Sequence, residues 1–231
     1  MRGAARRLII AIDGPVGAGK STAARAVARR LGYRYVDTGS MYRAVAWQAL
    51  RAGIPLTDGA RLAVLARRTP IRLVPRGRTL RVFVGARDVT RGIRSPAVAA
   101  ASSRLSIHPG VRRTLVARQR ALGGRGGVVM EGRDIGTVVF PRADLKVYLE
   151  ASLEARARRR WRELRRGRSR IALRSVREEV ASRDRRDSRR RTSPLRPAPG
   201  ALRLDTTGLS LRAVVGRLVR EALARTGGVA K

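Results

Sequence analysis

Eight consecutive residues, Gly14, Pro15, Val16, Gly17, Ala18, Gly19, Lys20 and Ser21, follow the spacing G-x-x-x-x-G-K-S. Glycines at these points let the backbone turn tightly, so that its N–H groups converge on one spot. A helix beginning at the lysine adds its partly positive N-terminal end. Such a loop holds a polyphosphate. Lys20 is placed to reach the β- and γ-phosphates of a nucleotide, and the Ser21 hydroxyl to ligate Mg²⁺. The expected nucleotide contacts run from Gly14 through Thr22. Three other groups have chemical potential but admit plainer readings. In DTGSMYR, Thr38 reads as a helix N-cap and Arg43 as an exposed helical charge. Arg183, Asp187 and Arg190 are spaced i, i+4, i+7 and share a helical face, as a surface ion-pair ladder would, and such ladders contribute little. The single histidine, His108, lies beside a turn and reads as a surface residue. With no cysteine in the chain, thiol nucleophiles, disulfides and zinc-finger sites are excluded.

These residues need strands to aim them. Leu8 to Ile12 is an apolar run suited to a strand buried on both faces of a parallel sheet. Ala24, Val27, Ala28 and Leu31 recur at helical spacing, and Gly32 reads as the C-cap. A second strand is expected over 33–39, a helix over 38–51 closed by Gly53, and a short helix over 58–68. The pattern then changes. Residues 71–90 alternate Leu80, Val82 and Val84 with Arg81, Phe83 and Gly85, which predicts a hairpin or small antiparallel sheet. Helices follow at about 95–106 and 109–122. Buried strands are expected at 127–130 and 145–151, and basic helices at 152–166 and 175–191. A last strand at 201–206 and a helix from Ser210 to about Thr226 complete the chain. Strands alternating with helices imply an α/β fold, a mostly parallel sheet covered by helices on both faces.

Composition sets further bounds. The 231 residues carry a net charge of +37, which favours anionic partners: nucleic acid, an anionic membrane or phosphorylated small molecules. Arginine dominates, and lysine occurs only at Lys20, Lys146 and Lys231; most of these arginines read as a solvated surface. No apolar run is long enough to cross a bilayer. The basic and then apolar N-terminus ends at Asp13 before the glycine loop, so it reads as a first strand rather than a targeting segment, and a cytoplasmic location is expected.

The motifs GPVGAGKST, DTGSMYR, EGRDIGTVVFP, RDRRDSRR and LDTTGLS occur in that order. In this the chain resembles the bacterial cytidylate kinases, P-loop enzymes that phosphorylate CMP and dCMP. The resemblance spans roughly 8 to 223 and includes the β-rich segment. It implies a P-loop NTPase-type core (1–65, 124–152 and 195–231), a CMP-binding insert at about 66–123 and a helical lid at about 153–192. It also implies transfer of the ATP γ-phosphate with Mg²⁺. Thr38, Tyr42 and Arg43 would contact the CMP phosphate, joined by Arg133. Asp134, Ser103 and Arg112 would read cytosine, whose amino group suits a carboxylate acceptor while the uracil carbonyl does not. Arg183 and Asp187 would hold the ribose. Lys20, Arg43, Arg133 and Arg190 would neutralise the charge that develops during transfer. Arg158, Arg159, Arg160 and the LRRGRSR turn resemble a mobile lid. Ser103 in its small-residue helix also reads as simple packing, and Glu131 as either a Mg²⁺-sensing or a structural acid. Ser40 stands where alanine is expected, and Arg189 and Arg191 enlarge a basic run. The acceptor phosphate is largely dianionic at neutral pH, its second pKa being about 6, so no general base is required.

Two other readings compete. Guanylate, shikimate or dephospho-coenzyme A kinases share the loop, but not the β insert with the later arginines. The charge also suggests nucleic-acid binding, yet the few aromatics do not interleave with the arginine runs. Only weak, salt-sensitive and sequence-independent binding is therefore expected, with no specific nucleic acid or membrane as partner, and the family resemblance leans towards a monomer.

Overall fold

The computed structural model describes residues 7–77, 79–166, 171–190 and 192–226. In chain order its elements begin with β1 (Ile9–Asp13), α1 (Lys20–Leu31), β2 (Arg34–Asp37), α2 (Thr38–Arg51) and α3 (Gly59–Arg68). Next come β3 (Ile71–Arg76), β4 (Thr79–Val84), β5 (Arg87–Asp88), a 3₁₀ turn at Gly92–Arg94, α4 (Pro96–Leu105) and α5 (Pro109–Gly123). The rest comprises β6 (Val128–Glu131), a π-helical turn at Ile135–Val139, β7 (Leu145–Glu150), α6 (Leu153–Arg166), α7 (Leu173–Ser188), β8 (Leu202–Asp205) and α8 (Leu211–Arg225).

Five strands form one sheet in the order β2-β6-β1-β7-β8. β1 pairs in parallel with β6 and β7, and β7 with β8. β1 is therefore central, and Ile10, Ala11 and Ile12 have no exposed surface. This accounts for an apolar run without polar alternation: both faces of the strand are covered. Helices flank the sheet. Val27 and Ala28 of α1 and Leu218 and Val219 of α8 join Ile10, Ile12, Val129 and Leu149 in one core.

The chain divides into two compact units, one of Met1–Tyr35 with Gly123–Lys231, the other of Val36–Leu122. The second has its own core, in which Met41, Val45, Leu62, Val82, Leu105 and Leu115 are buried. Its antiparallel sheet runs β3-β4-β5. Leu80 and Val82 are buried, Val82 within that core, and Arg72 and Phe83 pair on the opposite face. The expected hairpin is there, with the two-residue β5 added beyond the Gly85 turn.

One local expectation changes. The second basic helix ends at Ser188 rather than continuing towards 191, so Arg190 follows the helix instead of riding on it. There the Ser188 hydroxyl donates back to the Asp184 carbonyl at 2.8 Å, a bond typical of serine in a last turn. Arg191, and the lid turn at 167–170, lie outside the described residues. After GRD, where no element was expected, the chain forms the π-turn at Ile135–Val139. Val138 and Val139 both donate to the Asp134 carbonyl, at 2.9 and 3.2 Å, the widened ring of a π-turn.

Candidate functional site

The phosphate loop lies between β1 and α1. Gly14, Gly17 and Gly19 have φ of 144°, 78° and 87°, values that a side chain strains to adopt. At Gly14 space is decisive as well: a Cβ would lie 2.0 Å from the Leu149 carbonyl oxygen. Gly14→Ala is therefore expected to destabilise the fold by about 3 kcal/mol, combining backbone strain with overpacking. A thermal melt would show the midpoint falling by about 10 °C. At Gly17 a Cβ would meet Arg156 backbone at 2.8 Å, so α6 packs directly on the loop. Arg156 completes that contact by donating to the Val16 carbonyl at 3.2 Å and pairing with Asp184 on α7.

No side chain caps α1 at its N-terminus, where Gly19 stands in the left-handed conformation. Its first N–H groups are left for an anion. Lys20 opens the helix, is 5% exposed, and donates to the Pro15 carbonyl at 2.6 Å. Burial, and after it the charge of Arg133, push the Lys20 ammonium down to about 7, against the opposing pull of Glu131. Burial thus makes the charge on this lysine costly in the folded protein, a cost that a nearby anion would relieve. Ser21 and Thr22 are exposed on the first turn.

Beyond β6, next to β1 in the sheet, come Arg133 and Asp134, at the strand ends where open α/β sheets bind ligands. Arg133 Nε donates to Asp187 Oδ2 at 3.1 Å, and Arg190 Nη2 lies 3.8 Å from Asp187 Oδ1. Asp187 is only 4% exposed. The surface-ladder reading of Arg183, Asp187 and Arg190 is therefore overturned: this carboxylate is buried and its main partner comes from another element. Burial would raise the Asp187 carboxyl, but Arg133, Arg190 and Arg183 together hold it below the usual range. Asp134 is buried too, at the head of the π-turn. That turn hangs on a residue not expected to matter. Asp13, ending β1, accepts from the N–H groups of Ile135 and Gly136 at 2.8 and 2.7 Å. Burial nonetheless pushes the Asp13 carboxyl up to about 7.

The Val36–Leu122 unit holds the remaining predicted residues. The N-cap of α2 is Asp37, not Thr38: Asp37 Oδ1 accepts from the Ser40 N–H at 2.9 Å, and Thr38 is the first helical residue, buried. Nor is Arg43 an exposed charge, since its side chain is 24% exposed and pairs with Asp37 at 2.9 Å. Tyr42 lies under the Arg112 guanidinium, 5.8 Å from ring centroid to charge. Arg112 is buried and donates to the Ser106 carbonyl at 3.3 Å, and the Ser106 hydroxyl donates to the Ser103 carbonyl at 2.8 Å. Ser103, buried on α4, is thereby linked to Arg112 through Ser106. His108 is half-buried rather than a surface residue, its Nε2 lying 2.8 Å from the Leu56 carbonyl oxygen. It fastens the start of α5 to the chain before α3.

Sequence reasoning missed Asp13, Asp37 and Arg156. Asp37 had a signal, an acid three residues before Ser40 at a helix start. Asp13 had a weaker one, an acid ending an apolar strand. Among the described residues no group of three or more His, Cys, Asp or Glu could hold a metal ion. No helix among them is long and apolar enough to cross a membrane.

Comparison with known proteins adds a second line. Residues 10–224 match the family model described as Cytidylate kinase. The chain is 52% identical over 214 residues to a cytidylate kinase from Desulfitobacterium hafniense (strain Y51), covering 93% of this chain and 92% of that one. It is 51% identical over 223 residues to a cytidylate kinase from Geobacillus kaustophilus (strain HTA426), covering 96% and 99%. Among solved structures it is similar to that of TT1252 from Thermus thermophilus, at 25% identity and a TM-score of 0.46, over 95% of this chain and 97% of that one.

Proposed function

The chain belongs to the cytidylate kinase family, and on that premise we propose how its residues move the γ-phosphate of ATP to CMP or dCMP. It is an ATP-dependent nucleoside-monophosphate kinase. Phosphoryl transfer asks the protein for alignment and charge neutralisation rather than covalent chemistry. The loop from Gly14 to Thr22 takes the phosphates of ATP, and Lys20 neutralises the terminal pair. Arg133 and Arg190 bring positive charge to the transferring group. Thr38, Tyr42 and Arg43 take the acceptor phosphate, and Arg183 and Asp187 the ribose. Asp134 accepts from the cytosine amino group, and Ser103 and Arg112 join it in reading the base. The carrying observation is the cluster around the buried Lys20 and Asp187, in which Arg133 donates to Asp187 at 3.1 Å and the cations Lys20, Arg133, Arg183 and Arg190 face the carboxylates of Asp187, Glu131 and Asp13. That excess of positive charge is what a polyphosphate would neutralise.

Mg²⁺ fits this donor set. Ser21 offers an exposed hydroxyl and Glu131 a buried carboxylate, held by the Tyr35 hydroxyl at 3.1 Å. These are hard oxygen donors, and ATP itself supplies further ones. Bound there, the metal would offset phosphate charge. The segment from α6 to α7 would act as a lid, bringing arginines over ATP and excluding water that would otherwise take the γ-phosphate.

Release of ADP from Mg·ATP, measured separately with CMP, dCMP, UMP, GMP and AMP, tests this reading. Strong turnover with the two cytosine nucleotides and little with the rest is expected; equal turnover with GMP or AMP would overturn the cytosine assignment. Asp134→Asn then probes base choice. An amide can donate to the uracil carbonyl, so the preference for CMP over UMP in kcat/KM is expected to fall by about 100-fold.

A further inference from the structure

The Asp37–Ser40–Arg43 cluster at the start of α2 carries an inference that concerns this chain's own residue at position 40, where the family resemblance led to an expectation of alanine. The Ser40 hydroxyl donates to Asp37 Oδ2 at 2.5 Å and accepts from Arg43 Nη2 at 2.7 Å. Arg43 Nη2 also donates to the same Asp37 Oδ2, at 2.9 Å. Both acceptors engage Arg43 through Nη2, and the clamp reaches neither Nη1 nor Nε. Ser40 is 4% exposed, so water does not readily replace its hydroxyl in this arrangement.

Gly39 shows how closely the guanidinium is seated. A Cβ there would lie 3.0 Å from Arg43 Nη1 and 3.2 Å from Asp37 Oδ1. The guanidinium lies against a backbone position that has no side chain, fixed from one edge by an acid and a hydroxyl. Arginine loses affinity when a flexible side chain must be ordered on binding, and less when it is already ordered.

We propose that Ser40 is a positioning residue for the acceptor phosphate: with Asp37 it clamps one edge of the Arg43 guanidinium and presents the opposite edge to CMP. This rests on Arg43 being a ligand of that phosphate. Alanine at position 40 would leave the ion pair with Asp37 but remove the second acceptor, and the guanidinium could then turn about its remaining contact.

Steady-state kinetics of Ser40→Ala, Arg43→Ala and the double variant test the proposal, with CMP and ATP varied separately. Ser40→Ala is expected to raise KM for CMP roughly fivefold, the worth of one net hydrogen bond, with KM for ATP unchanged. Ser40→Thr, which keeps the hydroxyl, is expected to recover most of the loss. In the Arg43→Ala background the Ser40 substitution is expected to have no further effect, because the group it positions is gone. Equal increases in both KM values, or the same fivefold loss with Arg43 already removed, would show that Ser40 acts on the fold and not through Arg43. If Arg43→Ala itself leaves KM for CMP unchanged, Arg43 is not the phosphate ligand and both readings fall.

Discussion

Replacing Lys20 with methionine is expected to lower kcat at least about a thousandfold, as loss of a buried charge aimed at a transition state does. The melting temperature should stay the same or rise. Lys20 is almost fully buried, and burial with Arg133 nearby pushes its ammonium down to about 7. The folded protein therefore disfavours the charge, and an uncharged side chain of similar length removes that cost. The pH dependence follows with a definite sign. Between about pH 7 and the ordinary lysine value of 10.5 the unfolded chain binds more protons here than the folded one, so this lysine's destabilising effect is relieved as pH rises through that window. Melts of the two proteins from pH 6 to pH 9 should converge towards the alkaline end. Nucleotide binding runs the other way. On the proposed reading, phosphates beside Lys20 would restore its charge, so ATP bound at pH 8 should draw in close to one proton, measurable by calorimetry in buffers of different ionisation enthalpy. An inactive variant with a much lower melting temperature would mean that Lys20 is a structural residue instead.

Asp187→Asn should show the opposite balance, a large loss of stability that anions repair. The substitution leaves Arg133 and Arg190 beside a neutral amide, with the Asp187 position almost fully buried. Breaking a buried pair by removing one partner costs about 3 kcal/mol, or a fall of about 10 °C in the melting temperature of a chain this size. The wild-type carboxyl is held below its ordinary value of 3.8 by these arginines. Its contribution is present above that value and disappears as pH falls through the lowered one, so the variant should lose the acid-sensitive part of the curve. On the proposed reading, inorganic phosphate or CMP would supply the missing negative charge, and each should raise the variant's melting temperature more than the wild type's. Equal shifts in both proteins would show that the arginines freed by the substitution do not meet the ligand.

Much of this molecule is legible in its sequence because the informative patterns are local. A glycine-rich turn between an apolar strand and an amphipathic helix specifies its own geometry, since strand, turn and first helical turn lie within about a dozen residues. Leu80 and Val82, alternating with Arg81 and Phe83, announce a sheet with one buried face for the same reason, and both are buried in the β4 strand. The ordered motifs identify the family that the comparisons show.

Tertiary structure decided the rest, and the reason is that charge and hydroxyl groups take their meaning from what surrounds them. Arg183, Asp187 and Arg190 have the same spacing on an exposed helix as in the folded chain; the approach of Arg133, 54 residues away in sequence from the buried Asp187, gives the carboxylate its closest partner. Asp13 looks like the end of a strand until Ile135 and Gly136, more than 120 residues later, donate to it. Ser40 reads as a small departure from pattern until Asp37 and Arg43 close on its hydroxyl. By itself the sequence determined the phosphate loop, the order of strands and helices and the family. Which polar groups are buried, and which cation each one holds, was decided by long-range packing, because desolvation acts on an environment that local spacing does not contain.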